Sequence, residues 1–182
     1  YLKAYTAPIP GRQVNEAELR VDLPGDRRIT LYGADNMEAL RGLYFDAVVF
    51  DEFAQMSPRV WPEIIRPALA DRLGMAVFIG TPCGRDAFHA LYAQADGKSD
   101  WHRALYRASD SKLLPASELE AARSIMSEAQ YEQEFECSFD AAVPGAYYAA
   151  AINLAEHEGR IAAVPYEPAL PVYTAWALGI DD

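Results

Sequence analysis

Two short apolar runs constrain this chain more than anything else in it. Phe45 to Phe50 reads FDAVVF and Met75 to Ile79 reads MAVFI, each β-branched or aromatic through its centre. Runs of that length and texture are strands covered on both faces, the pattern of a parallel sheet in an α/β fold. Between them Ser57-Pro58 has the cap-then-proline pattern that opens a helix, and Pro62 and Pro67 keep that helix short and kinked. A parallel pair with a helical crossover is therefore the expected centre of the molecule.

The flanking text is consistent with that centre. Glu18 to Leu23 and Arg28 to Gly33 alternate polar and apolar residues about the turn Pro24-Gly25-Asp26, which predicts a β-hairpin. Asp35 or Asn36 is placed to cap a short helix through Leu40 that Gly42 ends. Phe88 to Gln94 reads as helix and Trp101 to Ala108 as a further strand. Ser117 with Glu120, then Ser127 with Gln130, read as capping boxes opening two helices, the first through about Met126 and the second through about Glu136. From Ala141 the texture shifts to small residues, Pro144-Gly145 and three further prolines, which reads as a linker over 141–171. Val172 to Ile180, VYTAWALGI, then reads as the first strand of a new domain.

Composition narrows the classes. With 182 residues and 51% hydrophobic content the chain can bury a sizeable core, which argues against disorder. No apolar run approaches the roughly 18–20 residues of a membrane helix, and no secretory signal opens the chain. A formal net charge of −11 argues against a general nucleic-acid coat while leaving room for a local basic groove. Cys83 and Cys137 match no metal-ligand spacing and fit a reduced compartment. The chain starts at Tyr1 without Met and stops at Asp181-Asp182 in mid-pattern, so it reads as a fragment.

Chemistry gathers at the strand ends. Asp51 and Glu52 follow the first buried strand directly, where open α/β sheets place ligands. In nucleotide hydrolases the first acid of such a pair holds the Mg²⁺ shell and the adjacent glutamate polarises the attacking water. By itself the pair also suits a strand that ends in solvated charge. Gly80-Thr81-Pro82 closes the second strand, where a small hydroxyl can face the same site, although the tripeptide alone reads as a turn. Arg41 stands ten residues ahead of Asp51. A lone arginine there is ordinarily a surface charge, but at the rim of a nucleotide site it can reach a γ-phosphate across a subunit boundary. His89, His102 and His157 share no metal spacing. Trp61, Trp101 and Trp176 read as core filling, and the acids of Glu118 to Glu136 as a solvated helix face.

Three segments in order, LYGADNMEALRGLYFDAVVFDEFAQM, AVFIGTP and LPASELEAARSIMSEAQYEQEFECSF, resemble the large subunit of tailed-bacteriophage terminase, the DNA-packaging motor; VPGAYY is similar to the text entering that family's interdomain linker. The resemblance covers nearly all of residues 29–182. It implies a P-loop NTPase-type three-layer α/β sandwich of the additional-strand, catalytic-glutamate kind over residues 1–140, a linker over 141–171, and the first strand of a ribonuclease H-like nuclease over 172–182. It further implies that Asp51 is the Walker B magnesium acid and Glu52 the catalytic carboxylate. Gly80, Thr81 and Pro82 would form the motif coupling hydrolysis to DNA movement, and Arg41 an arginine finger acting in trans.

ATP with Mg²⁺ is then the expected cofactor pair at the ATPase site, and Mg²⁺ or Mn²⁺ at the nuclease site. Double-stranded DNA, the procapsid portal protein, the small terminase subunit and a homo-oligomeric ring are the expected partners, without a membrane. The expected setting is the host cytoplasm, with transient docking at the portal. Two departures accompany the resemblance. No G-x-x-x-x-G-K-[ST] loop occurs in these residues, so the phosphate cradle is expected upstream of Tyr1 or is absent. Ala177-Leu178-Gly179-Ile180-Asp181-Asp182 keeps Asp182 as the second nuclease acid but has Ala177 in place of the first metal ligand, as an inactivating Asp→Ala change would leave it. The rival readings are a helicase-like NTPase, whose Asp-Glu-x-His/Asp motif Asp51-Glu52-Phe53-Ala54 does not match, and a non-catalytic interaction domain that kept the fold.

Overall fold

A computed structural model describes residues 1–140, 148–163, 165–171 and 173. The chain divides into two units, Tyr1–Ala141 and Ala142–Asp182.

The first unit opens with a short helix α1 (Leu2–Thr6) and an antiparallel sheet of β1 (Gln13–Asn15), β2 (Arg20–Leu23) and β3 (Arg27–Thr30), in the order β1-β2-β3. The predicted hairpin is present: Leu23 pairs with Arg27 and Val21 with Ile29. Its turn requires positive φ at both Gly25 (79°) and Asp26 (56°), conformations that Gly and Asp tolerate better than most residues. The third strand, β1, escapes a sequence reading because Gln-Val-Asn is too short and too polar to register as one. On the outer surface the Arg28 guanidinium, followed by that of Arg20, holds the Asp22 carboxyl below the usual carboxylate range.

Residues Ala34–Leu40 form tight 3₁₀ turns rather than the predicted capped helix. Neither Asp35 nor Asn36 caps it, because the backbone leaves helical space at Asn36 (φ −110°, ψ 63°) and breaks the segment in two. Gly42, at φ 79°, ends it as expected.

The two apolar runs become β4 (Ala47–Phe50) and β5 (Met75–Phe78), parallel and in register from Ala47↔Met75 to Phe50↔Phe78. The crossover is a π-helical turn, Val60–Ile65, running into α2 (Arg66–Ala70), with Pro67 in the first turn where its missing N–H costs nothing. Leu40, Phe50, Phe53, Val60, Ile64, Ile65 and Leu69 form one buried cluster under this crossover. Phe50 stacks on Phe78 at 4.8 Å between ring centres and meets Phe53 and Trp61 edge-on at 5.3 and 6.1 Å. Where the crossover returns to the sheet, a Cβ at Gly74 would lie 2.8 Å from the Asp46 carbonyl oxygen and 2.9 Å from that of Phe45, so only glycine fits this approach.

Coverage of both sheet faces, as the apolar runs led one to expect, is not what the described residues show. The crossover buries the Phe50 face, while Val49 and Met75 on the opposite face are 62% and 60% exposed. One helical layer covers one face, and no described residue packs closely enough on the other to bury it.

Beyond β5, α3 (Ala87–Gln94) is capped by Asp86, whose carboxylate accepts from Phe88 N (2.9 Å) and His89 N (3.0 Å). The strand expected over Trp101 to Ala108 is absent. Residues 101–107 form no ladder with β5: the Trp101 ring stacks on that of Phe78 (6.1 Å between centres), and a cavity of about 930 Å³ is lined by both Met75–Ile79 and Trp101–Tyr106. A short helix α4 (Ala108–Ser111) takes the end of that segment. Helix α5 (Ala116–Ile125) begins one residue before Ser117, so Ser117 falls in its first turn and the expected Ser117–Glu120 box does not form. The second box does form at α6 (Glu128–Glu134): Gln130 N donates to Ser127 Oγ (3.3 Å) and Ser127 N to Gln130 Oε1 (3.0 Å).

In the second unit, the stretch expected as linker carries a helix, α7 (Ala149–His157). Of the strand expected over 172–182 only Tyr173 is described, and Trp176, Ala177 and Asp182 lie outside the described residues. No helix among the described residues is long and apolar enough to cross a membrane.

Candidate functional site

The hydrogen-bond ladder between β4 and β5 fixes how the two acids are presented. Ile79 N donates to the Phe50 carbonyl at 3.0 Å, as a parallel ladder requires. The Ile79 carbonyl should then receive the N–H two residues beyond Phe50, that of Glu52. It receives Phe53 N instead, at 3.1 Å. One extra residue has been inserted, a bulge, and Glu52 absorbs it in the left-handed region (φ 54°, ψ 48°). The bulge lifts Asp51 and Glu52 off the sheet edge, and both are exposed at the C-terminal end of the strand pair.

A non-glycine residue in that conformation costs about 1–2 kcal/mol, so something must hold it. Phe53 does: it is 2% exposed, with its ring 5.3 Å from Phe50, 5.0 Å from Phe78 and 6.0 Å from Phe88. Burying a phenylalanine contributes roughly 1.5–3 kcal/mol, enough to offset the strain. Phe53 was not among the residues singled out in the sequence. Its signal is only that an aromatic follows two acids, which periodicity cannot interpret.

Gly80 and Thr81 face the bulge from the end of β5. A Cβ built on Gly80, whose φ is 155°, would stand 3.1 Å from Glu52 Cα and 3.2 Å from Phe53 N. Thr81 N donates to Glu52 Oε2 over a long 3.5 Å. The structure thus brings together Asp51, Glu52, Gly80 and Thr81, with the following Pro82 buried.

Arg41 has other partners. Its guanidinium donates to both Glu38 oxygens, and Glu63 lies 4.0 Å away, itself held by Arg59 at 2.8 Å. The Arg41 hydrogen bond pulls the Glu38 carboxyl below its ordinary range, and Arg59 does the same for Glu63. This four-membered ion cluster is solvent-exposed, so it holds Arg41 weakly and leaves it free to exchange partners.

No group of three or more His, Cys, Asp or Glu side chains that could cage a metal occurs among the described residues. The donors at the bulge are two adjacent exposed carboxylates. That set fits Mg²⁺ arriving with a nucleotide, since this ion is ordinarily bound through one or two carboxylates, water and substrate phosphates.

No family model matches the chain. Over 84 residues, 43% of this chain, it is 34% identical to the terminase large subunits of Thermus phage G20c and Thermus virus P23-45; those residues span 17% of the relatives' length. Among solved structures, the large terminase ATPase domain of Thermus phage P74-26 superimposes with a TM-score of 0.56 at 23% identity, over 75% of this chain and 66% of that one. A large terminase from another thermophilic bacteriophage, in complex with ADP, gives 0.57 at 15% identity, over 76% and 35%. The mixed α/β fold of this chain is therefore shared with large terminases, and the sequence match bears out the resemblance carried by its motifs.

Proposed function

We propose that this chain belongs to the ATPase portion of a phage terminase large subunit, and that the whole protein hydrolyses ATP to drive double-stranded DNA into a procapsid. The observation that carries this reading is the bulge after β4, which presents Asp51 and Glu52 at the ligand-binding end of a parallel strand pair opposite Gly80-Thr81. The sequence likeness to terminase large subunits and the fold shared with an ADP-bound large terminase support it.

In this reading Asp51 is the Walker B acid and would hold a Mg²⁺ that arrives with the nucleotide. The ion, when bound, offsets the negative charge of the phosphates. Glu52 orients the attacking water and accepts its proton. The water oxygen bonds to the γ-phosphorus as the bond to the β–γ bridging oxygen breaks, which releases ADP and phosphate. Thr81 places its hydroxyl at the same sheet end, and Gly80-Thr81-Pro82 passes the state of the site to the rest of the motor. Arg41, tied only by exposed ion pairs, exchanges Glu38 for a γ-phosphate on a neighbouring subunit of a ring. No G-x-x-x-x-G-K-[ST] loop, the phosphate cradle usual for this mechanism, occurs in the 182-residue sequence.

The wider assignments belong to the same proposal: portal and small-subunit partners, the host cytoplasm as setting, and a C-terminal ribonuclease H-like nuclease. Asp182 would serve that nuclease as a metal ligand for Mg²⁺ or Mn²⁺, and Ala177 would silence it.

The full-length protein tests the reading through its DNA-stimulated ATPase. Arg41→Ala and Glu52→Gln subunits, each inactive alone, are expected to recover part of the ATPase when mixed, because each donates what the other lacks. Mixed rings that form without any recovery rule out the trans role of Arg41. A wild-type protein with no ATP turnover removes the whole reading and favours a non-catalytic domain.

A further inference from the structure

Gly80 sits where the end of β5 has little room to spare and direct leverage on the bulge. Its missing side chain lets the end of β5 close onto the backbone of Glu52 and Phe53, the two residues that make and anchor the bulge. We infer that Gly80 is a positioning residue for Glu52: the clearance it leaves sets the left-handed turn that aims the Glu52 carboxylate past the end of β5, within reach of the Thr81 N–H. This inference rests on the ATPase reading above and extends it to the part Gly80 plays through its neighbour Glu52.

The argument is steric. A Cβ at position 80 would meet Glu52 Cα at 3.1 Å, Phe53 N at 3.2 Å and Glu52 C at 3.4 Å, all three backbone atoms that no rotamer change can withdraw. The φ of 155° at Gly80 is also one that L side chains rarely adopt. Relief requires moving the bulge. Phe53 N is committed to the Ile79 carbonyl and its ring to the core, so Phe53 is the fixed end. Glu52 is exposed and in a strained conformation, so it is the end that yields. A side chain at 80 therefore acts first on the direction of the Glu52 carboxylate. Thr81 N–H reports that direction because it donates to Glu52 Oε2.

Full-length Gly80→Ala is expected to bind a fluorescent ATP analogue with a Kd within about threefold of wild type, while kcat falls about tenfold, less than the roughly 10²-fold that a misplacement of about 1 Å costs. The decisive comparison adds Glu52→Gln. If Gly80 acts through Glu52, the double variant turns over no more slowly than Glu52→Gln alone, whereas independent effects multiply. Multiplying losses, a kcat near wild type in Gly80→Ala, or a Gly80→Ala protein whose thermal transition is lost, each overturns the assignment; the last makes Gly80 a requirement of the fold.

A second measurement leaves Gly80 in place: Glu52→Ala should speed hydrogen exchange at the Thr81 amide, and unchanged exchange overturns the contact that the clearance permits. Failure of the ATPase reading has a different signature, since Glu52→Gln would then leave turnover unchanged.

Discussion

Glu52→Gln in the full-length protein is expected to keep ATP binding and to lose hydrolysis by roughly 10²-fold or more, the contribution of a positioned general base. The substitution isolates basicity. Gln is close to isosteric with Glu, its amide oxygen accepts the Thr81 N–H as the carboxylate does, and the exposed site imposes no packing cost. The bulge is held by Phe53 and by the approach of Gly80, neither of which touches the Glu52 head group, so the backbone that presents it should persist. On the proposed mechanism, what disappears is the group that takes the proton from water as the γ-phosphorus is attacked. Single-turnover hydrolysis set beside nucleotide affinity separates the two properties. An unchanged single-turnover rate removes Glu52 from the mechanism.

The largest loss of stability is expected from Phe50→Ala, about 3–5 kcal/mol by analogy with buried phenylalanines elsewhere. Phe50 is 4% exposed and its ring meets those of Phe53, Trp61 and Phe78. Truncation leaves a cavity walled by stiff aromatics that cannot collapse to fill it. Against a total of some 5–15 kcal/mol for a typical domain this is a large share. Val49→Ala, one residue away on the same strand but 62% exposed, is the matched control and should cost well under half as much. Urea unfolding of the two variants decides the point, and equal shifts of the midpoint would contradict the one-sided core. Since Phe50 also supports Phe53, the Phe50→Ala protein should lose turnover before it loses its fold.

The elements legible in the sequence were those whose signal is local. The hairpin announced itself through alternation around Pro24-Gly25-Asp26, and the Ser127–Gln130 box through two residues at fixed spacing. Both parallel strands were legible as apolar runs, and with them the position of the two acids just past the end of the first. The misreadings share a different cause. Trp101 to Ala108 has the texture of a strand, but a strand is defined by its partner, and across the cavity beside β5 it has none among the described residues. Ser117 and Glu120 have the right spacing, yet Pro115 takes the cap position two residues early and displaces them. The apolar runs were right about strands and wrong about cover, because periodicity reports what a strand can bury rather than what lies over it. Spacing alone put Asp51, Glu52 and Gly80-Thr81 at the same end of the two strands, where the structure brings them together. The bulge that aims them depends on one hydrogen bond moving from Glu52 N to Phe53 N, and a string of letters carries no record of which amide a carbonyl accepts.

The cavity beside β5 gives that strand two unlike edges, and amide exchange should read them as a comb. Met75 N and Ile79 N are tied to the Asp46 and Phe50 carbonyls of the neighbouring chain segment. Parallel pairing alternates, so Ala76 and Phe78 turn their N–H groups the other way, toward the void of about 930 Å³. In this 182-residue chain, deuterium should enter at Ala76 and Phe78 well ahead of Val77 and Ile79, although all four lie within one apolar run. Uniform protection along the run would mean that the outer edge is already satisfied. The comb would show instead a strand sealed on one side and open to solvent, residue by residue, on the other.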